Sequence, residues 1–212
     1  MNMHEIMKIV ETGRWIGGES PIVGQFRYND PKICVITGPN TSGKSLLRKI
    51  FHSRYDDKGI EFIHLSQAGR CEGGIKSAMI YGSERDESTG CNSLKTVLTA
   101  ITTGIRREKP FVLFFDEPEI GCSDELSDGM AIRLIANLDK MKNLVGCMIV
   151  SHSRTFLGRF VNLNPSHIHL DKDYMSLSDW VNREIVPITD LEGLKDAGFK
   201  KWSAIDKLLK KK

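Results

Sequence analysis

The sequence lacks any run of apolar residues that could cross a membrane. A membrane-spanning helix needs roughly 20 mostly apolar residues in succession, and no segment of the 212 residues approaches that length. The first residues, Met1 to Ile6, also lack the basic and then apolar order of a signal peptide. We therefore expect a cytoplasmic protein without a membrane span.

Cysteine is scarce and shows no pattern. No two cysteines have the C-x-x-C spacing, so neither a zinc knuckle nor a redox motif is indicated. Reduced thiols in a cytosolic compartment are the simplest interpretation. The five cysteines are Cys34, Cys71, Cys91, Cys122 and Cys147.

The chain also lacks a strong net charge, since the balance is only +3. Lysine is nevertheless concentrated at the C-terminal end, and such a tail can contact nucleic acid phosphates. A lysine-rich terminus is more often a solvated, fraying helix end, and we favour that interpretation. The lysines of this tail are Lys195, Lys200, Lys201, Lys207, Lys210, Lys211 and Lys212.

Predicted strands and helices alternate along the chain. Buried apolar strands separated by helices indicate an α/β fold with a mainly parallel sheet flanked by helices on both faces. We expect a single domain over residues 1–212, with a core of about 33–160 and a C-terminal part, 161–212, made of an edge strand and a basic helical tail. His167 and His169 would lie on one face of that edge strand. The predicted strands are 33–37, 59–65, 75–81, 111–115 and 145–150, and the predicted helices begin near 46, 93, 124 and 153.

The most informative segment is Gly38-Pro39-Asn40-Thr41-Ser42-Gly43-Lys44-Ser45, which fits the spacing G-x-x-x-x-G-K-[ST]. It lies between a predicted strand and a predicted helix, which is the context that the motif requires. Backbone N–H groups of this loop and of the helix start at Ser45 and Leu46 would bind nucleotide phosphates. Lys44 would reach the β- and γ-phosphates, and the Ser45 hydroxyl would ligate Mg²⁺. We therefore expect ATP and Mg²⁺ as ligands.

Two further predicted strands end in polar residues with a chemical use. Asp116 and Glu117 follow the apolar run 111–115, and Ser151 and His152 follow the run 145–150. Carboxyl ends of parallel strands open into the crevice where ligands bind. Asp116 would then lie in the Mg²⁺ shell, Glu117 would polarise the attacking water, and His152 would contact the γ-phosphate or orient that water.

Phosphate loop, strand-Asp-Glu and strand-Ser-His, in that order, resemble the ABC-type ATPases over about residues 33–160. The resemblance implies that Gln67 is the Q-loop glutamine, near Mg²⁺ and the attacking water, although it comes early and the segment after it is short. It implies that Asp124 lies at a dimer seam. The segment 88–92 resembles a degenerate signature motif, so Ser88 and Gly90 would contact the nucleotide of the other subunit, although Glu87 stands where leucine is usual.

The resemblance also implies a mechanism and a branch. Two subunits would enclose two ATP molecules head to tail, and hydrolysis would open this homodimer. The dipeptide Pro39-Asn40 is common in the chromosome-maintenance, RecF-like and MutS branch, and the run 127–131 is faintly similar to MutS. A partner that is DNA or a protein effector is expected, as is a minimal ATPase core of the kind found in phage and mobile elements.

Three other functions remain open. One is the ATPase subunit of a membrane transporter, although 68–87 is too short for that branch's helical subdomain. Another is a nucleotide-dependent interaction module without turnover, for which Glu117 would not be needed. A P-loop kinase is the most distant, because nothing marks an acceptor-binding lid.

Overall fold

The computed structural model describes residues 2–14, 22–66 and 88–185, together with residues 187, 189–190, 192–193, 195–196, 199–200 and 203. Gln67 and the strand predicted at 75–81 lie outside the described residues. So do most lysines of the C-terminal tail. Within the described ranges, no helix is both long and apolar enough to cross a membrane.

A six-stranded sheet forms the centre of the protein, with the strand order β1-β6-β2-β5-β4-β3. All neighbouring pairs are parallel except β1 and β6, which are antiparallel. The prediction of an α/β fold with a mainly parallel sheet is confirmed. The edge position expected for the last strand is wrong, because β1 pairs with its outer side. The strands are β1 Gln25–Arg27, β2 Asp30–Thr37, β3 Glu61–Ser66, β4 Phe111–Asp116, β5 Leu144–Val150 and β6 Pro165–His169.

Helices flank this sheet. One of them, at the start of the chain, was not predicted from the sequence, although Asn2 and Glu5 form a capping box there. The third helix begins earlier than predicted because the Ser88 side chain caps it. In the described residues the α-helices are α1 Met3–Glu11, α2 Lys44–Asp56, α3 Thr89–Arg106, α4 Asp124–Leu138, α5 Arg154–Gly158 and α6 Leu177–Asn182, and a short 3₁₀ helix is Val161–Leu163.

Two hydrophobic layers cover the two faces of the sheet. Strand β4 is apolar throughout because its successive side chains point to opposite faces of the sheet and both faces are buried. Phe111, Leu113 and Phe115 pack in the layer that holds α3 to α6. Val112 and Phe114 pack in the layer that holds α1 and α2. A strand buried on both faces has no polar alternation, which is typical of parallel sheets.

The connections of the chain reverse direction between β2 and β5, which are neighbours in the sheet. From β2 the chain passes through α2 to β3 at one edge, whereas from β5 it passes through α5 to β6 on the opposite side of β2. Such a reversal leaves a crevice beyond the carboxyl ends of the two strands, where ligands of open α/β sheets bind. The segments that follow β2, β4 and β5 all lie at this edge.

Candidate functional site

The loop between β2 and α2 has a backbone that requires glycine at two positions. Gly38 and Gly43 have φ values of 141° and 111°, in the region that side chains disfavour. A Cβ on Gly38 would also lie 2.8 Å from the carbonyl oxygen of Leu170. Thr41 has a φ of 66°, so a non-glycine residue is strained in the same loop. The two glycines of the motif therefore allow the backbone conformation that the sequence predicted for this loop.

Helix α2 begins at Lys44 with an end that accepts an anion. Its N-cap is Gly43, and no side chain caps the helix, so the helix dipole favours a phosphate at this end. The Lys44 ammonium donates to the carbonyl oxygens of Gly38 at 3.0 Å and Pro39 at 2.8 Å, which places its charge on the loop. Pro39, Asn40, Thr41 and Ser45 are exposed, whereas Ser42 and the Leu46 side chain are buried. These features fit the phosphates of a nucleotide.

The residue after β4 has a strained backbone. Glu117 has a φ of 53°, which is uncommon for any residue with a side chain as long as glutamate. Its backbone N–H donates to the carbonyl oxygen of Val150 at 2.9 Å, so the chain is held against the end of β5. Strain of this kind persists where the surroundings impose it, and it is concentrated at functional sites.

His152 lies beside Glu117 at the same edge. Its Nε2 atom is 3.6 Å from the Glu117 Oε1 atom. The pKa of His152 is lowered to about 4, mainly by burial and also by the charges of Lys44 and Arg183, while the charge of Asp116 opposes them. The imidazole is therefore neutral at neutral pH, and its contact with Glu117 is not an ion pair. The sequence did not indicate Arg183, which follows α6.

Oxygen ligands suited to Mg²⁺ lie on the α2 side of the sheet. Asp116 alternates with Phe114 along β4 and therefore faces the layer of α2, whose first turn carries Ser45. A carboxylate and a hydroxyl are ligands that Mg²⁺ prefers. The His64 Nε2 atom lies 3.6 Å from the Asp116 Oδ2 atom. His64 was missed from the sequence because the pairing of β3 with β4 brings it there.

The segment expected to reach the other subunit has contacts within its own chain. The Ser88 hydroxyl accepts a hydrogen bond from the backbone N–H of Cys91 at 3.3 Å and caps α3. Gly90 is buried, and a Cβ there would lie 2.6 Å from the carbonyl oxygen of Gly121. Packing alone thus accounts for glycine at this position. The Asp124 carboxylate accepts from the Thr155 hydroxyl at 3.1 Å. A role of Ser88, Gly90 and Asp124 at a dimer interface stays a prediction.

A buried acid near the site was also missed from the sequence. Glu119 is 8% exposed, and its Oε1 atom accepts a hydrogen bond from the Ser151 hydroxyl at 2.6 Å. Burial raises the pKa of Glu119, and the charge of Glu117 acts in the same direction, while the Ser151 hydrogen bond opposes them. The only sequence signal was a third acid in the run 116–119, and burial is not apparent from a run of acids.

The two histidines of β6 form a separate polar group beside the phosphate loop. His167 Nε2 and His169 Nδ1 each lie 2.8 Å from the Thr37 hydroxyl, and His169 Nε2 lies 2.9 Å from Asp173. One proton order satisfies all of these contacts: His167 donates to Thr37, Thr37 to His169, and His169 to Asp173. The side-chain ligand atoms of His169, Asp171 and Asp173 lie within 4.8 Å of one another. The hydrogen-bond chain accounts for His169 and Asp173 without a cation, and Asp171 accepts from the backbone N–H of Lys172 at 2.7 Å.

Comparisons with known proteins do not assign a family. No protein-family model matches the chain, and no curated protein matches it. A solved structure with some similarity is Cdc6p from Pyrobaculum aerophilum, at 15% identity and a TM-score of 0.39. The alignment covers 92% of this chain and 48% of that one, so the chain spans about half the length of that protein. The structure itself shows an α/β fold with a mostly parallel six-stranded sheet and a glycine loop between a strand and a helix.

Proposed function

We propose that this protein binds ATP with Mg²⁺ and hydrolyses it to ADP and phosphate. The observation that supports this most directly is the meeting of three segments at one edge of the sheet. The glycine loop follows β2, Asp116 and Glu117 end β4, and His152 follows β5. Glu117 and His152 are 3.6 Å apart, and the charge of Lys44 acts on His152.

Binding would depend on the loop and on the start of α2. The backbone N–H groups from Gly43 onward and the Lys44 ammonium are the donors for phosphate oxygens. Ser45 and Asp116 would hold Mg²⁺, which neutralises phosphate charge when it is bound. Phosphate oxygens are better acceptors for Lys44 than the loop carbonyls that it contacts, because an ionised acceptor strengthens the hydrogen bond.

Hydrolysis would depend on Glu117 and His152. Glu117 is the candidate general base that takes a proton from the attacking water. His152 is neutral, so one ring nitrogen donates and the other accepts, and it can hold the water or a γ-phosphate oxygen in place. The strained backbone of Glu117 and its bond to Val150 keep its carboxylate beside His152.

We further propose that the hydrolysis is coupled to dimerisation, as the resemblance to ABC-type ATPases implies. Ser88 and Asp124 are exposed and therefore accessible to a second copy of the chain. In this hypothesis ATP joins two subunits and hydrolysis separates them, which is a two-state switch that DNA or a protein effector can read. We name DNA as an effector because the Pro39-Asn40 dipeptide resembles the branch of ABC-type ATPases that works on DNA.

The first experiment is steady-state ATP hydrolysis by the full chain with and without Mg²⁺. Glu117→Gln should lower kcat by at least about 100-fold, the range expected for loss of a general base, while ATP still binds. Lys44→Ala should abolish binding of a fluorescent ATP analogue. Unchanged nucleotide affinity in Lys44→Ala, or full turnover in Glu117→Gln, would contradict the proposed site.

Dimerisation is tested with the same Glu117→Gln protein by light scattering after gel filtration. A dimer should form with Mg·ATP and be absent with ADP. A protein that remains monomeric at saturating ATP would contradict the switch but not the hydrolysis. Stimulation of wild-type turnover by single-stranded DNA, duplex DNA or RNA would identify a nucleic acid effector. Turnover that none of the three changes would favour a protein effector.

A further inference from the structure

Glu119 links the two segments that carry the candidate catalytic side chains. It lies in the turn after β4, two residues beyond Glu117, and this turn is closed by a backbone bond from Ile120 to Glu117 at 3.2 Å. Its carboxylate accepts a hydrogen bond from the Ser151 hydroxyl at 2.6 Å. Ser151 directly precedes His152. One side-chain contact therefore joins the turn of Glu117 to the turn of His152.

The contact continues into the next helix. The Ser151 hydroxyl also accepts a hydrogen bond from the backbone N–H of Ser153 at 2.9 Å, and Ser153 caps α5 by accepting from Phe156 at 3.1 Å. On the other side of Glu117, its own N–H bonds Val150 at 2.9 Å. Two hydrogen bonds therefore hold the turn after β4 against the turn after β5. One joins the Glu117 N–H to the Val150 carbonyl oxygen, and the other joins the Ser151 hydroxyl to the Glu119 carboxylate.

Stability does not account for an acid at this position. Burial of a carboxylate is unfavourable unless both oxygens are hydrogen-bonded. Glu119 is 8% exposed and its Oε2 atom has no hydrogen-bond partner among the described residues, and burial raises its pKa although the Ser151 hydroxyl and the backbone N–H groups of Glu119 and Ser153 oppose that rise. An apolar side chain of similar size would avoid that penalty. A costly group held against the candidate site is consistent with selection for position rather than for stability.

We propose that Glu119 is a positioning residue that sets the distance between Glu117 and His152 through its hydrogen bond to Ser151. The proposal rests on the proposed ATP hydrolysis. Glu119 itself does not contact the reacting atoms. Loss of its hydrogen bond frees the turn after β5, and a small misplacement of His152 relative to Glu117 is enough to slow the chemical step.

The experiment compares Glu119→Ala, Glu119→Gln and Ser151→Ala with the wild type in the full chain. Glu119→Ala and Ser151→Ala should each lower kcat at least about tenfold and leave the affinity for a fluorescent ATP analogue unchanged. Glu119→Gln keeps an oxygen that accepts the Ser151 hydrogen bond, so it should retain most of the activity. The double variant of Glu119→Ala and Ser151→Ala should be no slower than either single variant, because both remove one contact.

The control is Glu108→Ala, which removes an exposed acid just before β4 at the opposite edge of the sheet. It should keep wild-type kcat. Full turnover in Glu119→Ala, additive losses in the double variant, or a loss in Glu119→Gln equal to that in Glu119→Ala would each overturn the proposal. An inactive wild type would instead refute the proposed hydrolysis, so the two failures are distinguishable.

Discussion

His152 and His167 are both neutral at neutral pH, yet their surroundings are opposite. The His152 side chain is 38% exposed at the open edge of the sheet, and its Nε2 atom lies 3.6 Å from the Glu117 Oε1 atom. That distance is longer than a hydrogen bond. His167 is 2% exposed and is bonded to the Thr37 hydroxyl at 2.8 Å. A neutral histidine in an open crevice is available to a ligand, whereas a neutral histidine bonded within the sheet belongs to the scaffold.

The largest expected difference between the two histidines is in the rate of ATP hydrolysis after substitution. His152→Gln should lower kcat at least about tenfold, because in the proposed function it removes the imidazole that would hold the water or phosphate next to Glu117. Its stability should change little, since the site is open to solvent. Steady-state ATP hydrolysis and thermal unfolding of the same preparation measure the two effects.

The matched control is His167→Gln, whose amide N–H can still donate to Thr37. Its kcat should stay close to that of the wild type. If His167→Gln slowed hydrolysis as much as His152→Gln does, the division into site and scaffold would be wrong.

The second effect is on stability at acid pH. The pKa of His167 is lowered to about 3, mainly by burial and also by electrostatic repulsion from the neighbouring His169 and Arg27. The unfolded chain, with a pKa near ~6.5 for histidine, therefore binds the proton more readily, and stability falls as the pH drops below that value. The contribution of one such group is at most about 1.4 kcal/mol per pH unit.

His167→Gln should therefore reduce the slope of unfolding free energy against pH between about pH 6 and pH 4.5. Urea unfolding at several pH values measures this slope. His152→Gln should reduce it less, because the His152 side chain is 38% exposed and solvent screens part of its pKa shift. An unchanged slope in His167→Gln would show that another group controls acid unfolding.

The smallest effect concerns the backbone of the site. Glu117 has a positive φ of 53°, so Glu117→Gly should relieve strain and stabilise the protein by about 0.5–1 kcal/mol after the larger chain entropy of glycine is subtracted. The variant should be inactive. Asn164, with a φ of 48°, is the control, since asparagine adopts this conformation readily and Asn164→Gly should gain less. A loss of stability in Glu117→Gly would argue that its side-chain contacts outweigh the strain.

Local sequence patterns predicted a large part of the fold. The apolar runs before Gly38, Asp116 and Ser151 became β2, β4 and β5, because a strand buried on both faces must be apolar throughout. Helix α1 escaped prediction although Met3, Ile6, Met7 and Val10 form one buried stripe. The position of β6 inside the sheet also could not be predicted, because nothing in the β6 sequence shows that the short strand β1 pairs with it.

The sequence alone determined the phosphate loop and the polar residues that end the strands, because these depend on spacing and on residue type along one stretch of chain. Only the tertiary structure decided which distant residues meet. His64 lies beside Asp116, and Glu119 reaches Ser151, because strand order places β3 and β5 on either side of β4. The tertiary structure also gave His152 and His167 different surroundings, since burial and hydrogen bonding depend on neighbours from other parts of the chain.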